Sequence, residues 1–190
     1  MKLVLPADAR IATERLVLRP LVTGDVDAIF ALFANWNVVR YLSAPPWPYV
    51  RDDARAFVDA ILNGTGDHPE QAFAVLLSGV LIGIVGVRMR PPGDLQRGAG
   101  PNIGYWLGEP YWGHGYMAEA GRGVIAMVFE THDGDMVYSG AFTENTASLH
   151  VQEKIGFVVD GKTTLFSRPR TGTFPHTNTV LARARFEALR

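Results

Sequence analysis

The chain contains no cysteine among its 190 residues. Disulfides, thiolate metal sites and cysteine nucleophiles are therefore excluded together, and the composition suits a reducing compartment. An excess of either charge is also missing: 18 Lys and Arg stand against 19 Asp and Glu, for a formal net charge of -1. A surface built to hold nucleic acid usually shows a strong basic excess. There is no long hydrophobic run either. The greasiest stretch, Ala72 to Val87, is broken at Ser78-Gly79 and falls short of the roughly 20 residues that cross a bilayer. Met1 to Arg10 has an early Pro6 and no apolar segment of signal-peptide length. The five histidines show no metal-ligand spacing. The expectation is a cytoplasmic protein with no metal, no membrane partner and no nucleic-acid partner.

What is present is enough apolar residue to build a core. The chain is 47% hydrophobic and 19% charged, and its length fits one domain over residues 1–190. Thr13 to Leu21 alternates apolar and polar residues as a half-buried strand does. Thr23-Gly24-Asp25 offers capping residues, and Val26, Ile29, Phe30 and Phe33 follow at helical spacing. Ser43 to Tyr49 carries three prolines and reads as a loop. Arg51 to Leu62 is a second amphipathic helix, stopped by Asn63-Gly64. Gln71 to Leu77 and Val80 to Arg90 form a hairpin across Ser78-Gly79, and Pro91 to Gly100 is a loop. A strand at Asn102 to Leu107, a helix at Met117 to Phe129 and a strand at Met136 to Phe142 come next. A short helix at Ala147 to Ile155 and two more strands after Phe157 complete the pattern. Strands and helices in this order predict a mixed α/β (α+β) domain without strict βαβ alternation.

The segment Gly113-His114-Gly115 lies between a strand and a helix. Glycines let the backbone fold closely, and the first turn of a helix has N–H groups without internal partners at its positive end. Together these make a site for an anion such as a pyrophosphate. Glycine pairs at this spacing also occur at Gly64/Gly66 and Gly121/Gly123, so the motif by itself is weak. The dinucleotide fingerprint is formally satisfied by Gly113, Gly115 and Ala118. Five residues separate the preceding strand from its first glycine, however, and the next strand has barely begun at Met136 where an acidic residue should end it. The motif also sits past the middle of the chain, leaving too little sequence for a doubly wound sheet. The dinucleotide reading is rejected on those grounds.

Three segments, TERLVLRPL with the later Arg40-Tyr41-Leu42 and Pro46-Trp47-Pro48, IGYWL with YWGHGYMAEA, and Asn145-Thr146-Ala147-Ser148 ending in EKIGF, carry a resemblance that spans nearly the whole chain. They resemble the GNAT superfamily of N-acetyltransferases, in particular its ribosomal-protein N-terminal acetyltransferase (RimJ/RimL-like) branch. The resemblance implies a central mixed sheet of about seven strands with about four helices, and acetyl-CoA as cosubstrate. It implies that backbone near Leu107 pairs with the pantetheine arm and that Trp112, Gly113, His114, Gly115, Tyr116 and Met117 surround the pyrophosphate. Asn145 would steady the cofactor arm, and Ser148 would act as the acid. The partner would be an amine acceptor, a protein N-terminus or a small molecule, and a homodimer is compatible with the family. Three positions depart from the pattern. Pro110 stands where the broader family has Gln or Arg, Gln152 where many members have a general-acid tyrosine, and Asn102 where the branch commonly has Glu.

Direct attack of an amine on a thioester needs an uncharged amine, a donor for the developing oxyanion and tolerance of a leaving thiolate. A strand N–H near Leu107 can be the donor, and a thiol of pKa about 8–9 leaves readily. Ser148 can supply a proton, although a serine just after Asn145 also suits helix capping. Among bases, His114 suits loop filling and Glu119 the dipole of its helix. His150 faces solvent or core, and Glu109, at a strand end, is the least poor candidate, so no base is assigned. Tyr105, Trp106, Tyr111, Trp112 and Trp47 can shape an acceptor pocket or simply form core. Arg168 and Arg170 flank Pro169, where they can meet an acidic acceptor or solvent. The rival class is a non-catalytic acyl-CoA-binding or sensor module of the same fold.

Overall fold

The computed structural model describes residues 9–65, 71–91, 93 and 98–190. Among them eight strands form one sheet in the order β1-β2-β3-β4-β5-β6-β8-β7. These are β1 Ile11–Ala12, β2 Leu16–Pro20, β3 Gln71–Leu77, β4 Val80–Arg90, β5 Gly100–Leu107, β6 Met136–Phe142, β7 Val158–Ser167 and β8 Gly172–Ala182. Every neighbouring pair is antiparallel except β5 and β6, which run parallel and meet at a single register pair, Asn102 and Tyr138. Six helices accompany them: α1 Val26–Phe33, α2 Trp36–Val39, α3 Arg51–Asn63, α4 Tyr116–Thr131, α5 Thr146–Ile155 and α6 Arg183–Ala188. The fold class is the mixed α/β one anticipated, with one strand and two helices more than expected.

The sheet is covered on both faces. One core sets Val124, Ile125 and Val128 of α4 against Ile82, Val85 and Val87 of β4, and all six are fully buried. The other sets Ile29 of α1 and Val58 of α3 against Ile84. Strand β4 therefore reads as a continuous apolar run, because a central strand has no solvent face. Each such side chain contributes about 1.5–3 kcal/mol when fully buried, which fixes α4 rigidly below the sheet.

Local chemistry explains the joints. The β3–β4 turn needs two left-handed residues, and Ser78 and Gly79 adopt φ of 50° and 83°; this matches the twist of the paired strands. Helix α3 starts with the Asp53 carboxylate on the Val50 N–H at 2.9 Å and stops at Gly64, φ 63°. Helix α5 starts on Asn145 and stops at Gly156, φ 117°, whose successor Phe157 donates back to the Gln152 carbonyl.

Two strand starts and two short helices differ most from the sequence reading. The strand expected from Thr13 begins only at Leu16, because Thr13 to Arg15 turns the chain away from the short β1. The strand expected from Asn102 already starts at Gly100, and Pro92 with residues 94–97 of the expected loop lie outside the described residues. Helices α2 and α6 are four and six residues long, too short to leave a periodic signal.

Candidate active site

After Asn102 and Tyr138, β5 and β6 diverge, so the rest of β5 has a strand neighbour only on its β4 side. Gly108 N–H donates to Ile82 of β4. Peptide groups alternate sides along a strand, so those of Leu107 and Tyr105 point into the gap. The Leu107 carbonyl accepts the Trp112 indole N–H there at 2.7 Å, which leaves the Leu107 N–H available. A cleft of about 190 Å³ fills the gap, and it is lined by Leu107, Trp112, Gly113, Gly115, Tyr116, Met117, Asn145 and Ser148. Residues far apart in sequence thus meet where two halves of the sheet part.

The end of the cleft is built for negative charge. Gly113 and Gly115 both adopt φ of 80°, a conformation that L side chains rarely take. A Cβ on Gly113 would meet nothing, so the demand there is conformational and not steric. Helix α4 begins immediately afterwards, and its first internal bond runs from Glu119 N–H to Gly115. The N–H groups of Tyr116, Met117 and Ala118 therefore have no partner inside the helix. His114 is the exception among the anticipated residues: it does not line the cleft, and its exposed ring stacks on Tyr116.

Arg15 belongs to this site and was overlooked in the sequence, although it lies within the TERL segment. Its guanidinium holds the His114 carbonyl at 3.0 Å and lies over the Tyr116 ring. Glu119 grips it in turn through Nε at 2.7 Å and accepts from the Arg15 backbone N–H and the Thr13 hydroxyl. Burial works to raise the Glu119 carboxyl, but the bonds from Thr13 and Arg15 with the Arg15 charge outweigh it and hold it low. Glu119 thus braces the loop, beyond the dipole role its position suggested.

Ser148 sits at the other end. Asn145 Oδ1 accepts the Ser148 N–H at 3.2 Å, so the capping side chain is Asn145 and the Ser148 hydroxyl is released from that duty. Tyr105 Oη lies 3.0 Å from Ser148 Oγ and 3.1 Å from the Ser148 carbonyl. Gln152, which is buried, donates to Gly140 at 3.3 Å and to Ser148 Oγ at 3.4 Å. The Thr179 hydroxyl donates to Gln152 Oε1 at 2.6 Å and so fixes which way the amide points. With Tyr105 and Gln152 both donating to Oγ, the Ser148 proton is free to point into the cleft. Burial pushes the Tyr105 phenol up to about 12, against bonds to Ser148 and Gln152 that act to lower it.

Several candidates fall away. Glu109 lies in a 3-10 turn, and both carboxylate oxygens accept side-chain amides, from Asn35 at 2.6 Å and Asn37 at 2.9 Å. It ties down the start of α2 and does not line the cleft. His150 is exposed beside Glu153. Arg170 pairs with Glu144 and lies over Phe142 and Phe174. Trp47 packs against Trp36 outside the cleft and the cavities beside it. His176, missed in the sequence, lines a neighbouring polar pocket with Ser148 and Tyr105. No group of three or more His, Cys, Asp or Glu among the described residues could hold a metal, and no helix there is long and apolar enough to cross a membrane.

Residues 15–158 match the family model described as an acetyltransferase (GNAT) domain. An uncharacterised N-acetyltransferase of Bacillus licheniformis, p20, is 26% identical over 151 residues, covering 78% of this chain and 82% of its own length. The crystal structure of a GNAT-family acetyltransferase from Bacillus anthracis superimposes with a TM-score of 0.76 at 21% identity, over 93% of this chain and 99% of that one. Mycobacterium smegmatis RimJ, solved with a coenzyme A disulfide, gives a TM-score of 0.75 at 16% identity, over 93% and 88% of the two chains. With its parted strands and its glycine loop set before a helix, this chain belongs to the GNAT family and is an acetyl-CoA-dependent acyltransferase.

Proposed function

We propose that the chain, acting as one domain over residues 1–190, transfers the acetyl group of acetyl-CoA to a primary amine of a protein N-terminus or a small molecule. We place it in the ribosomal-protein N-terminal branch on its IGYWL and YWGHGYMAEA segments, with the likeness to RimJ as support. The observation that carries this reading is the parted β5–β6 seam, with an anion loop at one end and the Ser148 hydroxyl at the other.

The pyrophosphate would lie on the N–H groups from Gly113 to Met117, with Arg15 holding the loop in place. The pantetheine arm would run along β5, meeting the Leu107 peptide and Asn145. The attacking nitrogen forms its bond to the thioester carbon, and the Leu107 N–H stabilises the oxyanion. The carbon–sulfur bond then breaks, and the proton of the new ammonium passes to solvent. A thiol has pKa about 8.5, well below that of Tyr105 at about 12. Complete proton transfer from the Tyr105–Ser148 pair to the thiolate is therefore uphill, and Ser148 serves as a hydrogen-bond donor to sulfur. An α-amine of pKa about 7.7–8.0 is partly neutral at pH 7, so this reaction needs no strong base.

The test is thiol release from acetyl-CoA across a panel of amines and N-terminal peptides, with thermal shift by coenzyme A and by NAD alongside. Release with at least one amine and stabilisation by coenzyme A are expected. Coenzyme A binding without turnover would replace this reading with that of a sensor module. Stabilisation by NAD alone would remove both.

A further inference from the structure

A second cavity of about 450 Å³ lies on the α1–α3 side of β5 and shares Leu42, Tyr105 and Trp106 with the cofactor cleft. Its size suits a small ligand or a chain end, and the shared residues place its inner end beside Ser148. Phe33, Phe57 and Trp106 give it apolar walls, while its charged lining consists of Arg88, Arg168 and Asp53. Asp53 accepts the Val50 N–H at the start of α3, and its single negative charge still leaves the lining with one net positive charge. Arg88 and Arg168 have no side-chain hydrogen bond or ion pair among the described residues. Both line the cavity and are exposed. Their backbones are nevertheless fixed: Arg88 pairs with Asn102 across β4 and β5, and Arg168 N–H donates to Ser43 at 2.8 Å. A cavity with two idle guanidiniums stands out in a chain whose net charge is -1.

Resting on the acetyl-transfer reading, we propose that the acceptor is an amine that also carries a carboxylate, which Arg88 and Arg168 bind while the amine reaches past Tyr105 to the thioester. A guanidinium fork matches a carboxylate in geometry, and such charge-assisted bonds are the strong ones. A polyamine would instead meet two like charges in the lining. Gly104 keeps the way in open. It lines both this cavity and the polar pocket of Ser148, and a Cβ there would meet no atom within 4 Å. A Cβ at that position would narrow the passage without displacing any neighbour.

Matched acceptors test this in the thiol-release assay: phenylalanine against phenylalaninamide, N-terminal peptides with Asp against Asn at the second position, and spermidine. The amide is the more nucleophilic amine at neutral pH, because its ammonium has no neighbouring carboxylate to hold the proton. A preference for the carboxylate therefore runs against intrinsic reactivity and reports recognition. The carboxylate member should win in at least one pair, which also tells a free amino acid from a peptide. Arg88→Gln and Arg168→Gln should each lower its kcat/KM about tenfold to a hundredfold, the usual range for losing a hydrogen bond to a charged group. Coenzyme A affinity and turnover of the amide should stay unchanged in those variants. Gly104→Val should raise KM for the acceptor without altering coenzyme A binding. Preference for the amides or spermidine, or equal losses on every acceptor in the arginine variants, overturns the inference and leaves the acetyltransferase standing. No thiol release with any amine from a protein that binds coenzyme A removes both.

Discussion

Replacing Ser148 with alanine separates chemistry from architecture in this fold. The hydroxyl takes part in a cluster, yet no donor around it depends on it alone. Tyr105 Oη keeps the Ser148 carbonyl at 3.1 Å, and Gln152 keeps the Gly140 carbonyl at 3.3 Å. The helix cap is untouched, because it joins Asn145 to the Ser148 backbone N–H. No buried group is orphaned, so the loss of stability is that of one ordinary hydrogen bond, about 0.5–1.5 kcal/mol. For a chain of this length that lowers Tm by roughly 2–4 °C per kcal/mol. Turnover should suffer more. A bond to a charged sulfur is worth about 1.5–3 kcal/mol, and since about 1.4 kcal/mol is tenfold in rate, kcat should fall about tenfold to a hundredfold. KM for acetyl-CoA should hardly move. Asn145→Ala is the contrast: it removes the cap, costs about 1 kcal/mol, and weakens acetyl-CoA binding because Asn145 lines the cleft. The measurements are kcat, KM and Tm for both variants in the thiol-release assay. An unchanged kcat in Ser148→Ala, whatever its Tm, would refute the role given to this hydroxyl.

Other consequences are open to the same instruments. Gly115→Val must adopt φ near 80°, which costs a β-branched residue about 1–2 kcal/mol; affinity for coenzyme A should fall while the circular dichroism spectrum is retained, and unchanged affinity would mean that the loop is misassigned. Gln152→Leu removes the amide that donates to the Gly140 carbonyl and accepts from the Thr179 hydroxyl, so denaturant titration should show the loss of two hydrogen bonds, about 1–3 kcal/mol, and a neutral result would contradict the network. Burial raises the phenols of Tyr105, to about 12, and Tyr49, which both stay protonated in the fold beyond the ordinary value of 10.0. The folded state then holds protons that the unfolded chain has released, so stability is complete below pH 10 and declines as pH rises through the folded values. Alkaline unfolding should be delayed in Tyr105→Phe, and an unchanged midpoint would argue against a buried Tyr105 phenol.

The sequence disclosed those parts of the fold whose signals are local. The β3–β4 hairpin was legible because Ser78-Gly79 sits as a two-residue turn between two apolar runs. Helix α4 was legible within two residues at each end, since Met117, Val124, Ile125 and Val128 recur on one face. The site was legible where a motif falls on one stretch of chain, as from Gly113 to Met117. It was hidden where the partners are distant. Nothing near Glu109 announces Asn35 and Asn37, 74 and 72 residues away, so a structural carboxylate looked like a free one. Arg15 and Glu119 are separated by 104 residues, and their pairing appears only once β1 and β2 fold against α4. The parting of β5 from β6 is a property of strand order, which no single strand records.

That parting also makes the domain mechanically uneven. Elsewhere the sheet is a continuous ladder, but beyond Asn102 and Tyr138 its two halves are joined through side chains and helices alone. An extended ligand arm laid against β5 would act as a short ninth strand there, taking up the peptide groups left without a neighbour. Amide hydrogens at Tyr105 and Leu107 should then exchange slowly with solvent only in the liganded protein, while those of β3 and β4 exchange slowly throughout. Occupancy by the cosubstrate would in that sense finish the sheet, and the enzyme would be at its stiffest at the moment the acceptor arrives.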